Sequence, residues 1–176
     1  MAWLGRGKRQ REAAKAWHRA IAAKAREQGP YARAWVPDTQ DGRAQMMALV
    51  TALAIHRLEK VGDAGQRLAA SVTEEVLSGF DHALREEGVG DSSIARKVRK
   101  LGEEFLGLSR AIVEALKGDN CEAELAIVLE RNAVTSAHHS GALAIWLLEA
   151  EKQLASASEL EVLAGAYLWS DAGVQG

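Results

Sequence analysis

Between Phe80 and Phe105 the sequence spells out the end of one helix, a tight corner and the start of another. Gly88 stands where a helix closes with a left-handed residue, and Gly90 lets the chain turn again at little steric cost. Asp91, Ser92 and Ser93 each carry a side-chain oxygen that accepts the free amide hydrogens of a new helix, so the chain restarts almost at once. Beyond the corner, Ile94, Val98, Leu101, Phe105, Leu108, Ile112 and Leu116 recur at steps of four and three, an apolar seam on one helix face. Val72, Val76, Phe80 and Leu84 form a similar seam before it. Two long helices meeting at a corner make a hairpin with apolar faces, and the remaining chain has to cover them.

What remains is of the right kind to do so. The 176 residues hold only two prolines and are rich in Ala, Leu, Glu and Arg, which predicts an all-α fold: a single-domain bundle of about six to seven helices. Cys121 is the single cysteine, so an internal disulfide is excluded, and no base or electropositive setting marks it as a nucleophile. The net charge of −2 is unevenly spread. Residues 1–30 carry Arg6, Lys8, Arg9, Arg11, Lys15, Arg19, Lys24 and Arg26 against Glu12 and Glu27, a surplus of six positive charges that leaves the rest at −8. Such a segment suits lipid headgroups, ribosomal RNA, the acidic body of the chain itself or plain solvent. It is Arg-rich like a mitochondrial presequence, yet it has no Ser or Thr and lacks the apolar core of a secretory signal, so it reads as part of the mature domain. The longest uncharged stretch, Asn132 to Leu148, is too short and too polar to span a bilayer, which needs roughly 20 apolar residues. The expectation is a soluble or peripheral protein with no transmembrane segment.

In chain order, a basic segment over residues 1–10, with no need for order, becomes helical by about Arg11. Trp17 and Ile21 give that helix an apolar ridge, and Gly29-Pro30 end it. Tyr31 to Arg43 has no helical period, and Val36 before Pro37 must be extended. Asp38, Thr39 and Asp41 are three candidate N-caps for a helix running to about Lys60, with Met46, Leu49, Val50, Leu53 and Leu58 inward. Arg43 falls in its first turn, against the helix dipole, which predicts an acidic partner in Asp38 or Asp81. After Gly62 and Gly65 a further helix runs to the corner. Past Gly118, Asp119 with Glu122 resembles a capping box opening a helix over Cys121 to Arg131, followed by a loosening over Asn132 to Ser140. An apolar helix through Leu143, Trp146, Leu147 and Leu154 comes next, then a short one capped by Ser158 and Glu161 and ending near Trp169, with 170–176 as a tail.

Catalytic apparatus is hard to find. No Glu precedes any histidine by three positions, as carboxylate-bridged di-iron bundles require. There is no His-Glu-x-x-His helix, no Gly-x-Ser-x-Gly elbow and no phosphate-binding glycine loop. His138 and His139 are adjacent, so on a helix they diverge by about 100° and do not easily share one ion. The expectation is a non-enzyme with no metal and no cofactor; a cofactor site around His138, His139 and Glu149 is the rival reading.

Five short motifs, taken together and in order, resemble the ubiquinol–cytochrome c chaperone family, the assembly factors of the cytochrome bc1 complex. They are Tyr31 with Val36-Pro37-Asp38-Thr39; Asp41-Gly42-Arg43; the helix end from Phe80-Asp81 to Arg85-Glu86; Gly88-Val89-Gly90-Asp91; and Lys97-Val98-Arg99-Lys100 with Phe105. The resemblance extends from about Glu12 to about Leu154 and suggests a family-like domain over 11–169; Ser92, Ala95 and Leu108 depart from the pattern. It implies an all-helical factor that holds newly made cytochrome b before haem insertion. Tyr31, Val36, Arg43, Arg85, Val89, Lys97 and Lys100 would then contact client or partner, while Pro37, Asp38, Gly88, Gly90, Asp91 and Phe105 would shape the motif. The ribosome, a small assembly partner and the membrane surface are further implied contacts. The implied place is the bacterial cytoplasm at the inner face of the inner membrane, with the mitochondrial matrix as the alternative. A general helical adaptor that binds another protein's amphipathic helix is the alternative function.

Overall fold

Thr39 decides where the central helix begins. Its hydroxyl accepts the Gly42 amide hydrogen at 3.1 Å, and its extended backbone turns the chain out of the Pro37 loop into α3 (Gln40–Glu59). Of the three candidate caps it is therefore Thr39 that serves. The computed structural model describes residues 2–86, 91–166 and 168–169, with side chains throughout except at residues 2–6, 84–86 and 91–94. Around α3 stand α1 (Ala2–Ala25), α4 (Asp63–Glu86), α5 (Asp91–Lys117) and α7 (Ala137–Ala155), each packed directly against it. The short α2 (Gln28–Ala32) leads into α3, α6 (Cys121–Arg131) packs on α5 and α7, and α8 (Glu159–Ala164) lies on α1 and α4. The expected all-α single-domain bundle is what the structure shows, with two very short helices besides six long ones among the described residues.

Four neighbours explain why α3 shows little sidedness. Met46, Leu49, Val50, Leu53 and Leu58 are buried as expected, but so are Ala48, Ala52, Ala54, Thr51 and His56, because a helix covered all round has no solvent face. Its alanines let neighbours approach closely, and Ser109 of α5 donates its hydroxyl to the Ala48 carbonyl at 3.1 Å.

Along the α4–α5 hairpin burial falls towards the corner. Ile112 and Val72 are fully buried at the root, Phe105 and Val76 nearly so, and Phe80, Leu101 and Val98 are half-buried. Phe80 meets Phe105 edge to face at 5.5 Å, which joins the two seams. α4 ends at Glu86 and α5 begins at Asp91. Gly88, Val89 and Gly90, and the side chains of Arg85 and Asp91, lie outside the described residues.

Four elements differ from expectation. The first helix starts at Ala2 and not near Arg11; Gly5 and Gly7, poor helix formers, hide this early start from the sequence pattern. The first helix ends at Ala25 and not at Gly29-Pro30, which lie instead inside α2, a helix too short to show a period and with Pro30 in its first turn, where no amide donor is needed. The helix α6 spans the expected Cys121 to Arg131, but Asn120 is its N-cap, with no side-chain cap. The last helix stops at Ala164, where Gly165 takes the left-handed conformation, although Ser158 and Glu161 do form the predicted capping box.

Three helices end in the same Schellman geometry. In α6 the Val134 and Ala133 amides donate to the Leu129 and Glu130 carbonyls, both at 3.0 Å; the ends of α2 and α8 repeat the pattern. The left-handed residue is Gly165 after α8 but Ala34 after α2 and Ala133 after α6, with φ near +55° and +53°. A Cβ is costly there. Ala133→Gly should therefore raise stability by about 0.5–1 kcal/mol, after the entropy lost to glycine's freer unfolded chain. A lower melting temperature for this exposed substitution would refute the assignment.

Candidate functional site

The Pro37 loop is tied at both ends. The Tyr31 hydroxyl donates to the Ala25 carbonyl at 2.8 Å, holding α2 against the end of α1, and burial pushes its phenol pKa up. The Trp35 amide donates to the Pro30 carbonyl at 2.9 Å, and the Arg33 guanidinium sits over the Trp35 ring at 5.1 Å. Val36 is only 1% exposed and anchors the loop in the core. The Pro37 carbonyl accepts the Thr39 amide at 2.9 Å and lies so close to Gly42 that any Cβ there would overlap it. Asp41-Gly42-Arg43 thus has a steric reason for its glycine.

Arg43 finds the expected partner in Asp38, with Nε donating to Oδ1 at 2.7 Å. That hydrogen bond holds the Asp38 carboxyl below its usual range and raises Arg43. Both groups are exposed, so the pair orients the loop more than it stabilises the fold.

Beside this loop, an open groove of about 670 Å³ is lined by residues of α3 and α5. Ala44, Ala48 and Gly107 form its small-residue floor; Leu101, Phe105 and Leu108 form an apolar wall; Lys97, Lys100, Asp41 and Glu104 stand at its rim. Lys100 approaches Glu104 at 3.7 Å, one helical turn apart on the surface. The structure therefore brings Lys97, Lys100 and Phe105 together. Tyr31, Val36, Pro37, Asp38 and Arg43 form a separate cluster at the loop leading into α3. Sequence reasoning missed the floor, since alanines and a glycine carry no pattern that distinguishes a groove from close packing. A usable signal was Gly107, a glycine inside a helix with nothing within 4 Å of where its Cβ would be.

Other titratable groups serve the fold. His56 is buried beneath Glu151, with Nε2 3.8 Å from Oε1. Burial, then the Lys60 charge, lower its pKa and outweigh the opposite pull of Glu151, which itself pairs with Lys60 at 3.2 Å. His138 and His139 meet edge to face at 4.8 Å, with Ser136 near His139. The Cys121 thiol donates to the Gly118 carbonyl at the end of α5. Among the described residues no three His, Cys, Asp or Glu side chains are grouped to hold a metal ion, and no helix is long and apolar enough to cross a membrane.

Comparison with known proteins sets this geometry in context. The family model described as ubiquinol-cytochrome C chaperone matches residues 33–169. The crystal structure of the Cbp3 homolog from Brucella abortus is similar with a TM-score of 0.77 and 30% identity, covering 93% of this chain and 92% of that one. No curated protein matches the chain significantly. The matched region takes in the Pro37 loop, the groove and the C-terminal α8, which goes past Leu154, where the motif resemblance stopped. With the family model spanning most of the sequence and a solved relative sharing its fold from end to end, the chain belongs to the ubiquinol–cytochrome c chaperone family.

Proposed function

We propose that the chain holds newly made cytochrome b, and that the α3–α5 groove receives an apolar segment of this client during assembly of the cytochrome bc1 complex. The reading is carried by one observation. A family of chaperones must shield apolar client surface, and among the described residues this groove pairs an apolar wall with an open floor. Small floor residues admit a helix backbone closely, and Lys97, without an ion pair among the described residues, favours a segment with an acidic flank at that end of the groove. Binding and release then need no chemistry from the chaperone. Its work is done at the inner face of the membrane that receives the client, where a small assembly partner or the ribosome would hand the client over.

Gly107 offers a clean test. Because its Cβ would meet open space, Gly107→Leu should fold normally and gain about 1 kcal/mol from helix propensity while filling the groove floor. In cells lacking the native chain, this variant should fail to restore spectroscopically intact cytochrome b, with other membrane haem proteins spared. Lys97→Glu with Lys100→Glu should weaken capture about tenfold, the equivalent of about 1.4 kcal/mol. Full rescue by a stably folded Gly107→Leu would rule out the groove, and unchanged cytochrome b on deletion would rule out the client.

A further inference from the structure

The basic side chains of the first helix are sorted by its geometry. Lys8, Arg11, Lys15 and Arg19 are exposed, and at 100° per residue they lie in an arc of about 80°. Arg26, just past the helix end, continues the row, so five cations extend over about 27 Å in a line. The far side of the same helix is core: Trp17 and Ile21 are fully buried, with Ala13 and Ala14 nearly so. Gln10 donates to the Ser71 hydroxyl at 2.8 Å and pins the beginning of the row onto α4.

The acidic body does not neutralise the row. Among the described residues none of the five is ion-paired; only Lys24 is turned inward, bound to Glu27 at 3.0 Å and lying over Trp146. Glu12 is exposed about 20° past the edge of the row, and Glu75 of the neighbouring α4 acts on His18, so carboxylates flank the row without pairing with it. The row is a straight edge with a local surplus of positive charge.

We propose that this edge is a docking surface for an anionic bilayer, on which the chain lies peripherally with α1 along the headgroups. A straight row matches a plane of phosphates. Nucleic acid would favour a groove or exposed aromatic rings for base stacking, and the aromatic residue within the row, Trp17, is buried. The preference for a bilayer over other polyanions rests in part on the membrane-protein client proposed above. The vesicle experiment needs no client, so the two readings fail separately.

The test is flotation of the full chain with vesicles of phosphatidylglycerol and phosphatidylcholine, compared with phosphatidylcholine alone. Binding should require the anionic lipid and fade as salt rises. Each cation near the surface contributes about fivefold, so Arg11→Gln with Lys15→Gln and Arg19→Gln should weaken partitioning about 100-fold. The distal pair Lys8→Gln with Arg26→Gln should weaken it about 25-fold and decides the matter if the triple variant fails to fold. Equal binding to neutral vesicles, or anionic binding that survives the neutralisations, overturns the proposal. A preference for a short RNA duplex over vesicles at equal phosphate overturns it in favour of nucleic acid.

Discussion

Replacing Trp17 with alanine should lower the unfolding free energy by about 3–5 kcal/mol, with a fall in melting temperature of roughly 10 °C. The indole is fully buried, and its Nε1 donates to the Val162 carbonyl at 2.9 Å. Its ring meets Trp169 edge to face at 6.0 Å, while Trp169 donates to the Ala150 carbonyl. Truncation therefore opens a large cavity and removes one of the two hydrogen bonds to the Val162 carbonyl, which keeps only the Gly165 amide at 3.2 Å. Trp17→Phe separates the two losses: most of the ring volume stays, and the lost hydrogen bond should cost about 1 kcal/mol, since the Val162 carbonyl keeps the Gly165 amide. Chemical denaturation is the measurement. A loss below about 1 kcal/mol for the alanine variant would mean that α8 is not held by this contact.

Gly42→Ala should destabilise by about 3 kcal/mol. The sign carries the information, because a glycine-to-alanine change inside an ordinary helix stabilises by about 1 kcal/mol. Here the new methyl would overlap the Pro37 carbonyl, which cannot retreat without breaking its bond to the Thr39 amide or pulling Val36 from the core. The same kind of helical glycine at Gly107 faces open space, so the two positions should respond in opposite directions. If Gly42→Ala proved neutral, the Pro37 loop would be looser than this geometry requires, and its role in fixing the start of α3 would fall.

Much of the bundle was legible because helical periods and punctuation are local. The seams of α4 and α5, the exact span of α6, the Ser158 cap and the Arg43–Asp38 pair all follow from spacing and charge. What escaped depends on distant chain. Thr39 could be separated from Asp38 and Asp41 only by the path of the loop, and the need for Gly42 arises from a carbonyl five residues back. The burial of Thr51 and His56 on α3 follows from four neighbours that no local pattern announces. The groove is assembled from α3, α5 and Asn132, so its lining had no contiguous signature, and Lys97 and Lys100 were found through motif resemblance. Trp169 is a lone aromatic with no periodic companion, which concealed its partnership with Trp17. The left-handed alanines at 34 and 133 run against alanine's own preference and carry no sequence sign of the helix ends they make.

The Trp17–Val162 bond joins positions 145 residues apart, and this has a kinetic consequence. Most pairings in a helical bundle close short loops and form early, whereas this one must wait for nearly the whole chain to be synthesised and arranged. Until then the pocket between α1 and α4 that α8 and Trp169 complete lacks its lid, and the indole of Trp17 stays open to water. The last native contact to form would thus be the one that seals the first helix, so ribosome-bound chains should show a protease-sensitive α1 that becomes protected only once Val162 and Trp169 are free to dock.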